Sequence, residues 1–352
     1  MRTERRSVRA RRLIIHIGGA KCGSSAIQDH LARNHGRLRS DGVLVPSKGL
    51  TLADEILGQQ IWFLEHLSVR PDGPDVLKHR IGRLGVHMEA KGLHTLIVSA
   101  ENICNHRPLA EWFASAAEGF ETQIVFYVRR QDDYFISAWQ QWELKRFASM
   151  QAYVAEKAGH DANWLDMIAP WEAAFGAKAI VLRPFRRDVL HGRDVVTDFL
   201  QELGLPQDGY DPPKGVSNRS FDEHLGDLAH RAQDVFKGPH DNDFYGVMVR
   251  LIGEKAFKSR SASHLLSLDE RLALLSVYDE GNRALRDRYL PEFGDRPLFD
   301  PPTPDDVAVP TEAEKLAAEN ALLVRALYRL ARLVDDLEKA QRGNAAEAVR
   351  TP

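Results

Sequence analysis

A glycine-rich loop near the start of the chain carries the residue types best suited to binding an anion. The apolar run 13–17 leads into Gly-Gly-Ala-Lys-Cys-Gly-Ser-Ser at 18–25, and helical spacing follows. Glycines let the backbone approach an oxyanion closely, and the free N–H groups of a helix start favour negative charge. Lys21 adds a point charge, and Ser24 and Ser25 offer hydroxyl donors. The loop therefore predicts a phosphate-type site.

The position of the lysine separates this loop from the familiar nucleotide loops. Gly18 and Gly23 have the four-residue gap of a Walker A loop, but Ser24 stands where that loop needs its lysine. Lys21 lies two residues before Gly23 instead. The dinucleotide fingerprint also fails, because position 20 is alanine rather than glycine. A P-loop kinase or NTPase remains only as an alternative function.

A second group of polar residues follows the fourth apolar run. Arg129 stands at the predicted strand end, Asp132 and Asp133 stand at the start of the next helix, and Ser137 comes one turn later. A guanidinium fork matches phosphate oxygens and a hydroxyl completes the cage, so Arg129 and Ser137 suit a second phosphate. The alternative is that Arg129 pairs with a helix-start aspartate while Ser137 lies on the helix surface.

Together these two elements resemble the donor site of PAPS-dependent sulfotransferases (PAPS, 3′-phosphoadenosine-5′-phosphosulfate). The run 20–25 is similar to that family's 5′-phosphosulfate loop, P-K-[TS]-G-[TS]-[TS], and departs from it at Ala20 and Cys22. Arg129 and Ser137 have the spacing and the strand-to-helix setting of the family's 3′-phosphate residues. The donor-binding residues that the resemblance implies are Lys21, Cys22, Gly23, Ser24, Ser25, Arg129 and Ser137.

Weaker similarities extend the resemblance over roughly 13–300. Val98 to Glu101 is similar to a strand-end Ser-Ser-Glu, and Asp198 to Leu205 is similar to the family's DFLxxLGL helix. Asn218-Arg219-Ser220 resembles an Asn-x-Ser segment that follows it. The RKGxxGDWK segment of animal cytosolic members is reduced to Pro213-Lys214-Gly215, which places the chain nearer the bacterial-type branch.

The resemblance implies transfer of a sulfuryl group from PAPS to a hydroxyl or amine of a glycan, lipid or small-metabolite acceptor, without a metal. Lys21 would neutralise the 5′-phosphate leaving group. Glu101, which follows a central strand, is the first candidate for the base; the alternative is that it caps a helix or pairs with an arginine. His106 and His16 are the other candidates. Cys22 is either a reactive thiol at a helix start or a simple replacement for threonine.

The elements that must position these residues follow a βα pattern. Short apolar, β-branched runs alternate with stretches of helical spacing, and this predicts an α/β, three-layer P-loop-like fold with a central, mostly parallel sheet and a helical C-terminal part. Ligands in such sheets bind beyond the carboxyl ends of the strands. The predicted strands are Leu13–Ile17, Val43–Val45, Thr95–Ser99, Gln123–Val128 and Ala179–Leu182.

The composition and the proline-rich stretch at 301–311 predict one large domain, and the two cysteines fit a reducing compartment. The formal net charge of -3 gives no reason to expect nucleic acid, and two cysteines form neither a disulfide framework nor a metal motif. No apolar run reaches membrane length, so we expect a cytoplasmic protein. The predicted organisation is a basic flexible arm at 1–12, a sulfotransferase domain at 13–300, a Pro-rich linker at 301–311, an amphipathic helix at 312–342 and a flexible tail at 343–352.

The C-terminal helix carries an alternating four-three apolar pattern over 316–337. This pattern is typical of a coiled coil of about three heptads, with one polar Asn320 on the seam. One interpretation is a homodimer formed through 316–337, and the other is a helix packed on its own domain. A non-catalytic, sulfotransferase-like scaffold that dimerises through this helix is therefore a second alternative function.

Overall fold

The computed structural model describes residues 11–52, 59–212, 220–258 and 262–348, with side chains up to 342. Most of the predicted basic arm, the segment 213–215 and two residues of the predicted Asn-x-Ser segment, Asn218 and Arg219, lie outside the described residues.

Five parallel strands form one sheet in the described chain. The sheet has the order β2-β3-β1-β4-β5, which places β1 between β3 and β4. All five predicted strands are observed, with ends shifted by at most two residues. They are β1 (Arg12–His16), β2 (Val43–Leu44), β3 (Thr95–Ser99), β4 (Glu121–Val128) and β5 (Ile180–Pro184).

The sheet is covered on both faces. Every residue of β3 is buried, as are the last four of β1 and the last five of β4. Because successive side chains of a strand point to opposite faces, unbroken burial requires protein on both sides. The predicted α/β class with a parallel central sheet is therefore confirmed.

Helices fill the connections between the strands and most of the chain after β5. Within the described residues, no helix is both long enough and apolar enough to cross a bilayer. The helices are α1 (Ser24–Arg33), α2 (His35–Ser40), α3 (Ile61–Ser68), α4 (Gly73–Lys91), α5 (Pro108–Ala116), α6 (Gln131–Gln141), α7 (Met150–Lys157), α8 (Trp164–Phe175), α9 (Val195–Glu202), α10 (Glu223–Arg231), α11 (Asp243–Ile252), α12 (Leu268–Ser276), α13 (Asp279–Tyr289) and α14 (Glu312–Ala348).

The described chain groups into two compact units. The first unit draws on 11–134, 159–212 and 275–300 and contains the whole sheet. The second draws on 135–158, 220–274 and 301–348 and is helical. Helix α6 begins in the first unit and ends in the second.

The segment after 300 is attached to the second unit. Ser263 forms a parallel bridge with Val307, and its N–H donates to the carbonyl of Asp306 at 3.0 Å. Helix α14 begins at the predicted residue but continues to Ala348, so 343–348 are helical rather than part of a flexible tail. The alanines at 345, 346 and 348 explain the difference, because alanine is the strongest helix former.

Candidate functional site

The order of the strands brings three predicted site residues to one edge of the sheet. Strands β3, β1 and β4 are adjacent and parallel, and His16 at the end of β1 lies in register with Ser99 and Val125. The residues that follow these strands therefore meet beyond the same carboxyl edge. Lys21, Glu101 and Arg129 follow β1, β3 and β4 respectively, and all three belong to the first unit.

The loop between β1 and α1 presents an open helix start. Gly23 is the N-cap of α1, with φ +85°, and it has no side chain that could accept a capping hydrogen bond from the first turn. The first turn also contains no acidic residue. Consequently no carboxylate of the first turn competes with an anion for the positive end of the helix dipole.

Two glycines of this loop are required by close contacts. A Cβ built on Gly18 would lie 2.8 Å from Ser24 Oγ and 3.1 Å from the Cα of Glu101. A Cβ on Gly23 would lie 2.9 Å from the ring of Phe185, and its positive φ favours glycine in any case. The backbone of the loop is thus pressed against the segment that follows β3.

Lys21 lies at the centre of this arrangement. Its backbone has φ +62°, a left-handed conformation that costs free energy in a residue with a Cβ and is typical of functional sites. Burial, and then the charge of Arg129, lower the pKa of the Lys21 ammonium to about 8, while the Glu101 carboxylate opposes the shift. Lys21 therefore still carries its proton at neutral pH, in surroundings that already hold a second cation.

Arg129 is fixed by its backbone and by its side chain. Its Nη1 donates to the carbonyl of Lys21 at 3.2 Å, and its own carbonyl accepts a bond from Trp164 Nε1 at 2.8 Å. The aspartates at the start of α6 both pair with Arg130, with Nε to Asp132 Oδ1 at 2.7 Å and Nη2 to Asp133 Oδ1 at 3.6 Å. The guanidinium of Arg129 is thus directed to the loop between β1 and α1.

Glu101 lies against the loop on the opposite side. The next residue, Asn102, donates its N–H to the carbonyl of Gly18 at 2.7 Å, which ties this segment to the loop. Burial raises the pKa of the Glu101 carboxyl, while the charge of Lys21 and a hydrogen bond from the backbone N–H of Lys21 lower it in part. A carboxylate with a raised pKa beside a lysine is suited to accepting a proton.

The two serines and the cysteine of the loop differ in their surroundings. Ser24 is buried and its Oγ donates to the carbonyl of Gly19 at 3.4 Å, whereas Ser25 is half-buried. Cys22 is fully buried, its Sγ donates to the carbonyl of Ala20 at 3.3 Å, and burial raises the pKa of its thiol. A thiol in this state is inert, which favours simple replacement of threonine over a reactive Cys22.

The two histidines considered as alternative bases also belong to the first unit. His16 is buried inside β1, its Nδ1 is 2.8 Å from Ser99 Oγ, and burial lowers its pKa to about 3. His16 is therefore a core residue. His106 is half-exposed and lies 3.5 Å from both Glu65 Oε1 and Ser68 Oγ.

Ser137 lies in the part of α6 that belongs to the second unit, where its side chain is buried. Two aromatic residues of α6 also belong to different units. Trp139 is buried against Tyr153 and His230 in the second unit, and Tyr134 packs edge-on against Trp164 in the first. Ser137 stays a prediction from the sequence.

Two clusters of histidine and acidic side chains have spacings that suit a metal ion, one in each unit of the described residues. In the cluster His191, Asp198 and Glu202, the carboxylate of Asp198 is already paired with Arg183 at 2.5 Å and accepts a bond from Tyr127 at 2.7 Å. The guanidinium of Arg183 takes the place that a metal ion would need, so this cluster is a structural ion-pair network.

The second cluster is His224, Asp227 and His264. Burial alone would lower the pKa of His264, but its hydrogen bonds to Asp227 and Glu223 raise it to about 9. His264 Nε2 lies 2.8 Å from Asp227 Oδ2 and its Nδ1 lies 3.1 Å from Glu223 Oε2, so these side chains already form an ion-pair network.

The sequence did not indicate Trp164 or Asn102 as site residues. Trp164 begins α8, 35 residues after Arg129, and Asn102 reaches the loop only through its backbone. The sequence around each residue gives no sign of a role in the site, because aromatic residues at helical spacing and asparagines after strands are common.

Comparisons with known proteins give limited similarity. No protein-family model matches the chain. Over 178 residues, 51% of the chain, it is 25% identical to an uncharacterized protein of Archaeoglobus fulgidus, and it spans about half the length (48%) of that relative. A crystal structure of a sulfotransferase from Alicyclobacillus acidocaldarius is similar at 14% identity with a TM-score of 0.38, over 59% of this chain and 87% of that one. Similarity at this level assigns no activity to the chain.

Proposed function

We propose that this chain is a sulfotransferase that transfers a sulfuryl group from PAPS to a hydroxyl or amine of a glycan, lipid or small-metabolite acceptor. The observation that carries the proposal is the meeting of Lys21 and Arg129 at an uncapped helix start, with Glu101 beside them. Two cations at a helix start suit a polyanionic donor, and a carboxylate at the same place suits deprotonation of an acceptor.

The roles follow from the positions. The 5′-phosphosulfate would bind over the loop, where Lys21 neutralises the charge that develops on the leaving phosphate. Arg129 would hold a second phosphate with its guanidinium fork, as the 3′-phosphate of this donor requires. Ser137, as a residue of the second unit, remains a prediction from the resemblance, and the proposal depends on the first unit alone.

The transfer step is a displacement at sulfur. The acceptor oxygen or nitrogen gives its proton to the Glu101 carboxylate and forms a new bond to sulfur. The bond between sulfur and the 5′-phosphate oxygen breaks, and the electron pair leaves with 3′-phosphoadenosine-5′-phosphate (PAP). In-line geometry and charge neutralisation are the main requirements of such a step, as in phosphoryl transfer.

The direct test is thermal unfolding of the full chain with PAP, run beside Mg-ATP. A ligand at about a hundred times its dissociation constant adds about 2.7 kcal/mol to the free energy of unfolding. We expect stabilisation by PAP that is lost in Arg129→Ala and kept in Arg83→Ala, which removes an exposed arginine from α4.

The other outcomes contradict the proposal in different ways. Stabilisation by Mg-ATP alone would favour a kinase-like enzyme. No stabilisation by either ligand would favour the non-catalytic scaffold.

A further inference from the structure

Helix α14 packs on the second unit through one narrow stripe, which we call the contact stripe. The stripe consists of Glu319, Leu322 and Ala326, all buried, and the helix contacts α10 and α11. Glu319 also pairs with Arg231 of α10 at 2.7 Å. Beyond Ala326 nearly all described side chains of α14 are exposed, so the packing ends about halfway along the helix.

A second stripe of the same helix, which we call the seam, is left uncovered. Its apolar members are between 41% and 64% exposed, although they line one face for 22 residues, or about 33 Å. Single exposed apolar side chains are ordinary, but a contiguous exposed stripe marks an interaction surface. The seam consists of Leu316, Asn320, Leu323, Leu327, Leu330, Val334 and Leu337.

The spacing of the seam is that of a coiled coil. Its steps alternate between four and three, which gives a period of 3.5 residues and keeps the seam facing a partner helix. In heptad notation leucine occupies all four d positions (316, 323, 330 and 337), and the a positions hold Asn320, Leu327 and Val334. Leucine at d together with a single asparagine at a is typical of parallel, two-stranded coiled coils.

We infer that α14 pairs with the same helix of a second copy of this chain, parallel and in register. This inference is independent of the proposed activity. In a parallel, in-register pair Asn320 meets the same asparagine of the second copy, so the one polar group of the seam is satisfied. An antiparallel pair, with 316 opposite 337, would place Asn320 near Val334 and leave its amide without a partner.

The remaining faces of the helix also favour a second copy over a membrane surface. The polar face carries mixed charges, and the pairs Asp335–Lys339 and Glu338–Arg342 stabilise it internally. A helix that lies on anionic lipid carries a clear surplus of lysine and arginine instead. Val324 and Leu333 flank the seam and add apolar area to the same face.

The first experiment is sedimentation of the full chain and of two matched variants. Leu330→Glu lies on the seam and Tyr328→Glu lies on another face of the helix, and both side chains are exposed, so neither change disturbs the contact stripe. We expect a dimer for the parent and for Tyr328→Glu, and a dissociation constant raised about a hundredfold or more in Leu330→Glu, since a carboxylate would be buried unpaired. A monomeric parent, a trimer or tetramer, or a dimer that persists in Leu330→Glu would overturn the inference.

Cysteine cross-linking tests the orientation. Cys22 and Cys104 are buried, so they do not compete. Val334→Cys should give a disulfide-linked dimer on mild oxidation, and Arg332→Cys, on the exposed face, should not. Equal cross-linking of both variants, or of neither, would overturn the parallel register. Co-sedimentation of the parent with phosphatidylserine vesicles that is lost in Leu330→Glu would assign the seam to a membrane surface and overturn the inference.

Discussion

Lys21 combines an unfavourable backbone with an unfavourable charge. Its left-handed φ and the neighbouring Arg129 guanidinium both cost free energy. Costs of this kind are retained where they prepare a site for a ligand. An anion on the loop would remove the electrostatic part of the cost by neutralising both cations.

The lowered pKa of Lys21 predicts that PAP binding depends on pH. The free protein holds the Lys21 proton below about pH 8 and loses it above, whereas the bound anion favours the protonated form. Affinity should therefore be full below pH 8, and the dissociation constant should rise up to about tenfold per pH unit above it. Titration calorimetry between pH 7 and pH 9.5 measures this, since the phosphates are already ionised there.

Lys21→Arg is the control for that pH dependence. A guanidinium stays protonated throughout this range, so its affinity for PAP should be flat with pH. A parent affinity that is equally flat would contradict the assignment of Lys21 to the anion site.

We expect Glu101 to promote transfer and to weaken binding of the donor. Its carboxylate accepts a bond from the backbone N–H of Lys21, so it lies where it repels a bound anion. Glu101→Gln should bind PAP roughly three- to tenfold more tightly, because the repulsion is removed. Transfer of radiolabelled sulfate from PAPS should fall about a hundred- to ten-thousandfold, because the base is lost. Transfer at the parent rate would remove Glu101 from the mechanism.

At the scale of the elements, the sheet was the most predictable part of the molecule. Runs such as Thr95–Ser99 are buried on both faces, so their unbroken apolar character is visible in the sequence. Knowing that the strands are parallel also predicts that Lys21, Glu101 and Arg129 gather at one edge.

Contacts between distant elements could not be predicted in the same way. Trp164, at the start of α8, donates a hydrogen bond to the Arg129 carbonyl. A tryptophan at helical spacing gives no sign in the sequence that it makes such a bond. The contact stripe of α14 could not be predicted from the sequence for another reason. Its members are Glu319, Leu322 and Ala326, and a buried glutamate breaks the apolar pattern, whereas the exposed seam displays it.

At the scale of the whole molecule, the segment after 300 is more than a tether for α14. Arg271 donates to the carbonyl of Asp306 at 2.9 Å, and Ser263 bridges to Val307 within the same second unit. The prolines that suggested a free linker therefore lie in an attached segment. The helix that follows has two different faces. The contact stripe packs on the second unit, and the seam is exposed.

This double role predicts that removing the helix destabilises the fold itself. A chain that ends at Pro310 loses the buried Leu322 and Ala326 and leaves Arg231 without Glu319. The free energy of unfolding in urea should fall by about 3 kcal/mol, which is the value of one large and one small apolar side chain returned to water. Leu330→Glu is the matched comparison, because it disrupts only the seam. If the truncated chain is as stable as monomeric Leu330→Glu, the contact stripe contributes nothing, and α14 is a dimerisation element alone.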